Sequence, residues 1–259
     1  MLNILHHYFG TKLLNKIDPE ISHAIALCYL RLLNQFVKKK EIGASILKTQ
    51  IAGMEVPSPI GLAAGFDKNA EVFKQMSALG FGFIEIGTVT PVPQEGNPKK
   101  RIFRLVDDKA LINRLGFNNS GVNKIIKKLK NKGNVIIGGN IGKNKITPND
   151  RAKNDYLICF KALYDYVDYF AVNVSSPNTP NLRNLQNVND LRNILLPLVK
   201  QNKQLKSKPI LIKISPDLND DDIKKIVDMA LELKIDGIIT SNTTISRDNL
   251  KSKKKLTNE

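Results

Sequence analysis

Six times between residues 60 and 241 a short apolar run ends in a cluster of glycine, amide, hydroxyl or ammonium groups. A helical pattern follows all but the last, and few folds admit that alternation. Strands are predicted over residues 60–64, 83–89, 135–141, 169–174, 210–214 and 237–241, and helices over 70–79, 120–131, 149–166, 188–205 and 220–233. Near-continuous apolar strands joined by helices imply a parallel sheet with both faces covered. Polar groups gathered at successive strand C-termini are what the catalytic face of a (β/α)8 barrel requires. The expected fold class is therefore α/β, a TIM-type barrel of about six βα units preceded by an N-terminal helical hairpin.

The fourth strand end is the densest, with Asn173-Val174-Ser175-Ser176-Pro177-Asn178-Thr179-Pro180 following the run Tyr169, Phe170, Ala171, Val172. The others are Ala63-Ala64-Gly65-Phe66-Asp67-Lys68, Gly87-Thr88-Val89-Thr90, Gly138-Gly139-Asn140-Ile141-Gly142-Lys143, Lys213-Ile214-Ser215-Pro216-Asp217 and Thr240-Ser241-Asn242-Thr243-Thr244. Gly138 and Gly139 serve either the site or close packing, and the pattern leaves both open. The longest interruption, residues 90–118, carries Pro91, Pro93, Gly96, Pro98, Arg101 and Arg104 and reads as a functional loop of the lid type.

Composition narrows the chemistry. Cys28 and Cys159 each fall inside an apolar helical pattern and are expected to be reduced core residues. The three histidines, His6, His7 and His23, all lie near the N-terminus. The body of the chain thus has no imidazole for a Ser-His-Asp triad or a His-ligated metal. A net charge of +16 invites a nucleic-acid partner, but it is spread over lysine-rich helical faces such as Lys124, Lys127, Lys128, Lys130 and Lys132 and the tail from Lys251. No Gly-x-Gly-x-x-Gly opens a helix after the first strand and no Walker loop is present, which disfavours nicotinamide and P-loop nucleotides. Lys68, Lys213, Ser176 and the amides Asn113, Asn140, Asn173, Asn178 and Asn242 suit a planar polar ring and developing negative charge better than hydrolysis.

Two helices are predicted before the barrel. The first spans residues 2–16; the second opens with Asp18 as N-cap and Pro19 at the first helical position. Ile21, Ile25, Cys28, Leu32 and Phe36 form its apolar stripe, broadened by Leu27, Leu30 and Leu33. Such a pair either packs on the body or lies in a membrane interface. A small hairpin is expected at residues 51–56. No apolar run is long enough to span a bilayer and no secretory leader is evident, so the chain is expected on the cytosolic side.

Gly61-Leu62-Ala63-Ala64-Gly65-Phe66-Asp67-Lys68, Ile84-Glu85-Ile86-Gly87-Thr88-Val89-Thr90-Pro91, Asn113-Arg114-Leu115-Gly116-Phe117-Asn118-Asn119 and the Asn173–Pro180 segment, in this order, closely resemble class 2 dihydroorotate dehydrogenases. These are quinone-dependent, membrane-associated flavoenzymes of pyrimidine synthesis, and the likeness covers essentially the whole chain. The resemblance implies residues 1–42 as a membrane- and quinone-associated helix pair and 43–259 as an incomplete FMN-binding barrel. It implies FMN contacts at Ala64, Gly65, Phe66, Asp67, Lys68, Thr88, Asn140, Asn173, Lys213 and Ser241. Dihydroorotate contacts are implied at Lys68, Asn113, Arg114, Leu115, Gly116, Phe117, Asn173, Asn178, Asn242 and Thr243. Ser176 falls where the class carries its catalytic base; it would take the C5 proton while C6 gives hydride to the flavin, with Lys213 favouring the anionic reduced ring.

The implied partners are dihydroorotate, a membrane quinone and the cytosolic face of the inner membrane, with no nucleic acid and no metal. The family's pattern continues for two more βα units, with glycine-rich loops that hold the cofactor phosphate. The chain is accordingly expected to be truncated, with weakened FMN binding and activity. Two other readings remain: a non-catalytic membrane-associated fragment, and a flavoprotein like tRNA-dihydrouridine synthase. The latter needs a catalytic Cys, and no strand end here has one.

Overall fold

The computed structural model describes residues 14–32 and 45–252. The helix expected over residues 2–16 lies almost wholly outside them, as do Leu33 and Phe36. The second helix, α1 (Pro19–Leu32), forms as its cap predicts: Asp18 Oδ1 accepts from the Glu20 and Ile21 amides at 2.9 and 3.2 Å. Its orientation departs from the sequence reading. Ser22, His23, Leu27 and Leu30 turn toward the body, whereas Ile21, Ile25, Cys28, Tyr29 and Leu32 are exposed. Cys28 is therefore a surface thiol rather than a core residue; Cys159 is buried as expected.

β1 (Thr49–Ile51) and β2 (Met54–Val56) make the small hairpin, turned by Ala52 and Gly53 at positive φ as a two-residue hairpin loop demands. The barrel sheet holds β3 (Ile84–Val89), β6 (Ile137–Ile141), β7 (Tyr169–Asn173), β8 (Ile210–Lys213) and β9 (Gly237–Ile239), parallel and in that order. The first predicted strand pairs with β3 only through a parallel bridge at Leu62. Among the described residues the alternation thus gives five βα units and a sixth strand, as the sequence pattern implied.

Between β3 and β6, where the sequence suggested an irregular lid, β4 (Ile102–Leu105) and β5 (Ala110–Asn113) form an antiparallel hairpin. Arg101 and Arg104, placed at the start of this hairpin, both turn toward α1 and the residues just before it, Arg101 onto a carboxylate and Arg104 onto carbonyls. Arg101 pairs with Glu20 on α1 at 2.6 Å, and Arg104 donates to the carbonyls of Leu14, Asn15 and Ile17 and to Ser22 Oγ. They fasten α1 to the hairpin.

The covering helices are α2 (Phe73–Ala78), α3 (Val122–Leu129), α4 (Ala152–Leu163), α5 (Val188–Lys203) and α6 (Asp220–Leu233). α2 starts three residues later than predicted because Ala70 sits at φ +54, which interrupts a right-handed helix. β3, β6, β7 and β8 are buried throughout, and Phe160 of α4 packs against Phe170 of β7 with ring centroids 4.3 Å apart and the rings tilted by 36°. Gly138 and Gly139 serve packing: a Cβ at Gly138 would lie 2.1 Å from the Tyr169 ring, and one at Gly139 3.2 Å from Val167.

Candidate active site at the strand C-termini

Register brings the predicted amides together. β6 and β7 align Asn140 with Ala171, and β7 and β8 align Asn173 with Lys213. The β3 register slips between Ile86 and Val89, and Thr88 in that slip donates to Asn140 Oδ1 at 2.6 Å. Asn173 Nδ2 donates to Thr88 Oγ1 (2.9 Å) and Asn140 Oδ1 (3.2 Å). Asn173 Oδ1 accepts from the Ser175 amide and hydroxyl at 3.2 and 3.1 Å, and Asn242 Nδ2 reaches Ser175 Oγ at 3.0 Å. Thr88, Asn140, Asn173 and Asn242 therefore form one network, with their amide orientations fixed by their partners.

The network rests on Glu85, which the sequence reading did not assign. Its Oε1 accepts from Asn140 Nδ2 at 2.8 Å and its Oε2 from the Tyr169 hydroxyl at 3.2 Å. The carboxylate and its burial push the Tyr169 phenol far above its ordinary pKa, burial being the larger cause, so it remains a donor. A carboxylate inside an otherwise apolar strand was the signal available in Ile84-Glu85-Ile86.

A second cluster surrounds Ser176. Its hydroxyl is buried and Oγ accepts from the Asn178 amide at 3.2 Å. Asn178 Nδ2 donates to Asn113 Oδ1 at 3.1 Å, joining the β7 loop to the turn after β5. Asn113, Arg114, Asn178 and Thr243 line a cavity of about 210 Å³. Arg183, also unassigned from sequence, ties these loops: its Nε donates to Ser175 O (3.0 Å), Nη2 to Thr243 O (2.8 Å), and Nη1 to Asp217 (2.7 Å). Asp217 is held in its ionised form: burial opposes this, but the Thr244 and Arg183 hydrogen bonds outweigh it.

Other predicted residues are placed differently. Asp67 turns its carboxylate to the Glu71 and Val72 amides, at 2.6 and 2.8 Å, and burial raises its pKa. The Arg114 guanidinium donates twice to Lys100 O and lies over the Phe103 ring. Lys143, buried, donates to Thr147 O at 2.8 Å. Ser241 is exposed and its hydroxyl donates to Asn242 O. Gly116 (φ +73) and Phe117 (φ +54) shape the turn; its carbonyls are gripped by Gln94 Nε2.

Phe66, Lys68 and Leu115 line a separate cleft of about 170 Å³ between the body and α1, with Glu20, His23 and Leu27 on the helix side. His23 Nε2 lies 2.8 Å from Phe66 O, its ring edge-on to Phe66, and burial lowers its pKa. Lys68 donates to Gly65 O at 2.5 Å; burial, with Arg101 nearby, brings its pKa down to about 8.

These features fit a flavin ring. Gly65 stands at φ +112 with open space where a Cβ would be, and among the described residues the Lys213 ammonium, on a nearly buried side chain beside Asn173, makes no hydrogen bond or ion pair. A family model described as dihydroorotate dehydrogenase matches residues 46–259. The chain belongs to the dihydroorotate dehydrogenase family, a family of oxidoreductases. It is 52% identical over 248 residues to a protein of Christiangramia forsetii named dihydroorotate dehydrogenase (quinone), covering 93% of this chain and 73% of that one. A Marinomonas protein of the same name is 43% identical over 250 residues, covering 93% of this chain and 72% of its own. Among solved structures, DHODH from Eimeria tenella in complex with ferulenol superposes with a TM-score of 0.84 at 38% identity, covering 91% of this chain and 70% of that chain. The dihydroorotate dehydrogenase family thus accounts for the fold and for the order of the strand-end motifs.

Proposed function

We propose that the chain oxidises dihydroorotate to orotate, holding FMN at the strand C-termini and delivering the electrons to a membrane quinone. The observation that carries this reading is the join between Asn173, locked by Thr88 and Asn140, and the Lys213 ammonium opposite it in register, which has no partner among the described residues. When bound, FMN supplies the hydride acceptor and passes the electron pair onward. Gly65, Thr88, Asn140, Asn173 and Lys213 would hold its ring.

The chain's own groups supply the rest. Asn113, Asn178, Asn242 and Thr243 offer amide and hydroxyl contacts to the pyrimidine ring, and Lys68, bonded to the carbonyl of Gly65, would swing its ammonium from the α1 cleft to the substrate carboxylate. Ser176 takes the substrate's C5 proton. A free hydroxyl is a weak base, but the Asn178 amide donated to Oγ stabilises charge developing there, and the proton passes on to water. Lys213 stabilises negative charge that accumulates on the ring.

Quinone approaches through the cleft between α1 and the body, whose Leu27, Phe66 and Leu115 offer an apolar wall. The outward face of α1, with Ile21 57%, Tyr29 53% and Leu32 69% exposed, contacts the bilayer surface. No helix among the described residues is long and apolar enough to cross a membrane. Titrating the purified chain with FMN and assaying dihydroorotate-dependent reduction of a short-chain quinone tests the reading. Flavin binding with quinone reduction supports it; no reduction in the presence of saturating FMN overturns it.

A further inference from the structure

We propose that Asn97 is a positioning residue that sets the separation of the two loops facing dihydroorotate, and through it the affinity for that substrate. The inference rests on the reading of the site given above. Asn97 precedes the β4–β5 hairpin and lines neither cavity, yet it is bonded to both loops. Its Nδ2 donates to Arg114 O and to Asn178 O, each at 2.9 Å, and its backbone N–H donates to Leu115 O at 3.0 Å. One carboxamide thereby spans the 113–118 turn and the Ser176-bearing loop.

The amide can point only one way. Nδ2 faces two carbonyl oxygens, while Oδ1 faces the Lys145 ammonium at 3.2 Å. Close approach is built in from both sides. A Cβ at Gly116 would fall 2.9 Å from Asn97 Cγ and Nδ2, and one at Gly96 2.3 Å from Leu115 O. Arg101 Nη1 then anchors Asn97 O at 3.0 Å, so the clamp is held from the α1 side as well. The direct bond between the loops, Asn178 to Asn113, is a single one at 3.1 Å and would not fix their spacing alone.

Asn97→Asp keeps the shape but sets carboxylate oxygens against two carbonyls; Asn97→Ala removes the contacts without repulsion. In the FMN-loaded chain, calorimetry should show orotate binding weakened about tenfold by either change, the expected effect of two lost hydrogen bonds. FMN affinity and the KM for quinone should stay within about twofold, and Lys145→Ala, which touches only Oδ1, should bind orotate as the parent does. Hydrogen exchange of the ligand-free chain gives an independent measure: Asn97→Ala should speed exchange in segments 113–118 and 175–180 while leaving α4 and β7 unchanged. Parent-like orotate affinity in Asn97→Asp, equal losses of FMN and orotate, or unchanged exchange in both loops would overturn the proposal. A parent chain that binds no orotate refutes the substrate reading instead, and the exchange experiment still decides whether Asn97 spaces the loops.

Discussion

Asn173 and Lys213 face each other across the β7–β8 register, one amide oriented by its neighbours and one ammonium with no partner among the described residues. A lysine side chain packed among buried strand residues, with its ammonium left without a protein partner among the described residues, is placed to meet developing negative charge on a ligand. Replacing Lys213 by Met is expected to lower turnover about 100-fold, the scale for losing one preorganised charge-stabilising donor. Thermal stability should hold or rise. Steady-state quinone reduction and a melting curve check both halves.

Lys68 gives a pH dependence. Burial holds its pKa at about 8, so it is charged below that value and neutral above it. The KM for dihydroorotate is expected to be flat below pH 8 and to rise about tenfold per unit above it, a rise that Lys68→Met abolishes. Because the unfolded lysine titrates at 10.5, the folded state binds fewer protons between the two values, and stability should increase as pH climbs from 8 toward 10.5. Denaturant midpoints measured across that range test the sign.

The Glu20–Arg101 pair should decide whether α1 stays docked. Arg101 is nearly buried, and removing its carboxylate partner by Glu20→Gln should cost about 3 kcal/mol of docking energy. Arg101 lowers the Glu20 pKa, so the stabilisation is complete above pH 4.5 and fades as pH falls through the lower folded value. Limited proteolysis within residues 14–32 is the readout, with faster cleavage expected in the variant.

Gly138→Ala addresses the network from beneath. The added methyl would collide with the Tyr169 ring, displacing the hydroxyl that bonds Glu85 and loosening Asn140 above it. A destabilisation of about 1–3 kcal/mol is expected, with FMN affinity falling in parallel. Equilibrium unfolding and flavin titration measure the two effects.

How much was legible in the sequence follows from which forces were local. The βα alternation and the cap at Asp18 are written in consecutive residues, and they folded as read. The outward turn of Ile21, Ile25 and Leu32 was not legible, because the docking of α1 is decided by Arg101 and Arg104 more than 80 residues away. Asp67 could be placed at a strand end but not aimed, since its carboxylate is claimed by amides four and five residues on. Arg183 and Asn97 act through carbonyls of distant loops, which leave no periodic trace in the chain, whereas Glu85 stands out as a carboxylate in an apolar strand but its partners on β6 and β7 do not.

The central claim is that Ser176, in the loop beyond β7, moves the proton. The direct measurement is single-turnover reduction of bound FMN by dihydroorotate in the parent and in Ser176→Ala, with orotate affinity measured alongside. The account predicts a reduction rate lower by about 10²–10⁴ with FMN and orotate binding preserved. A variant that reduces its flavin at the parental rate would contradict it.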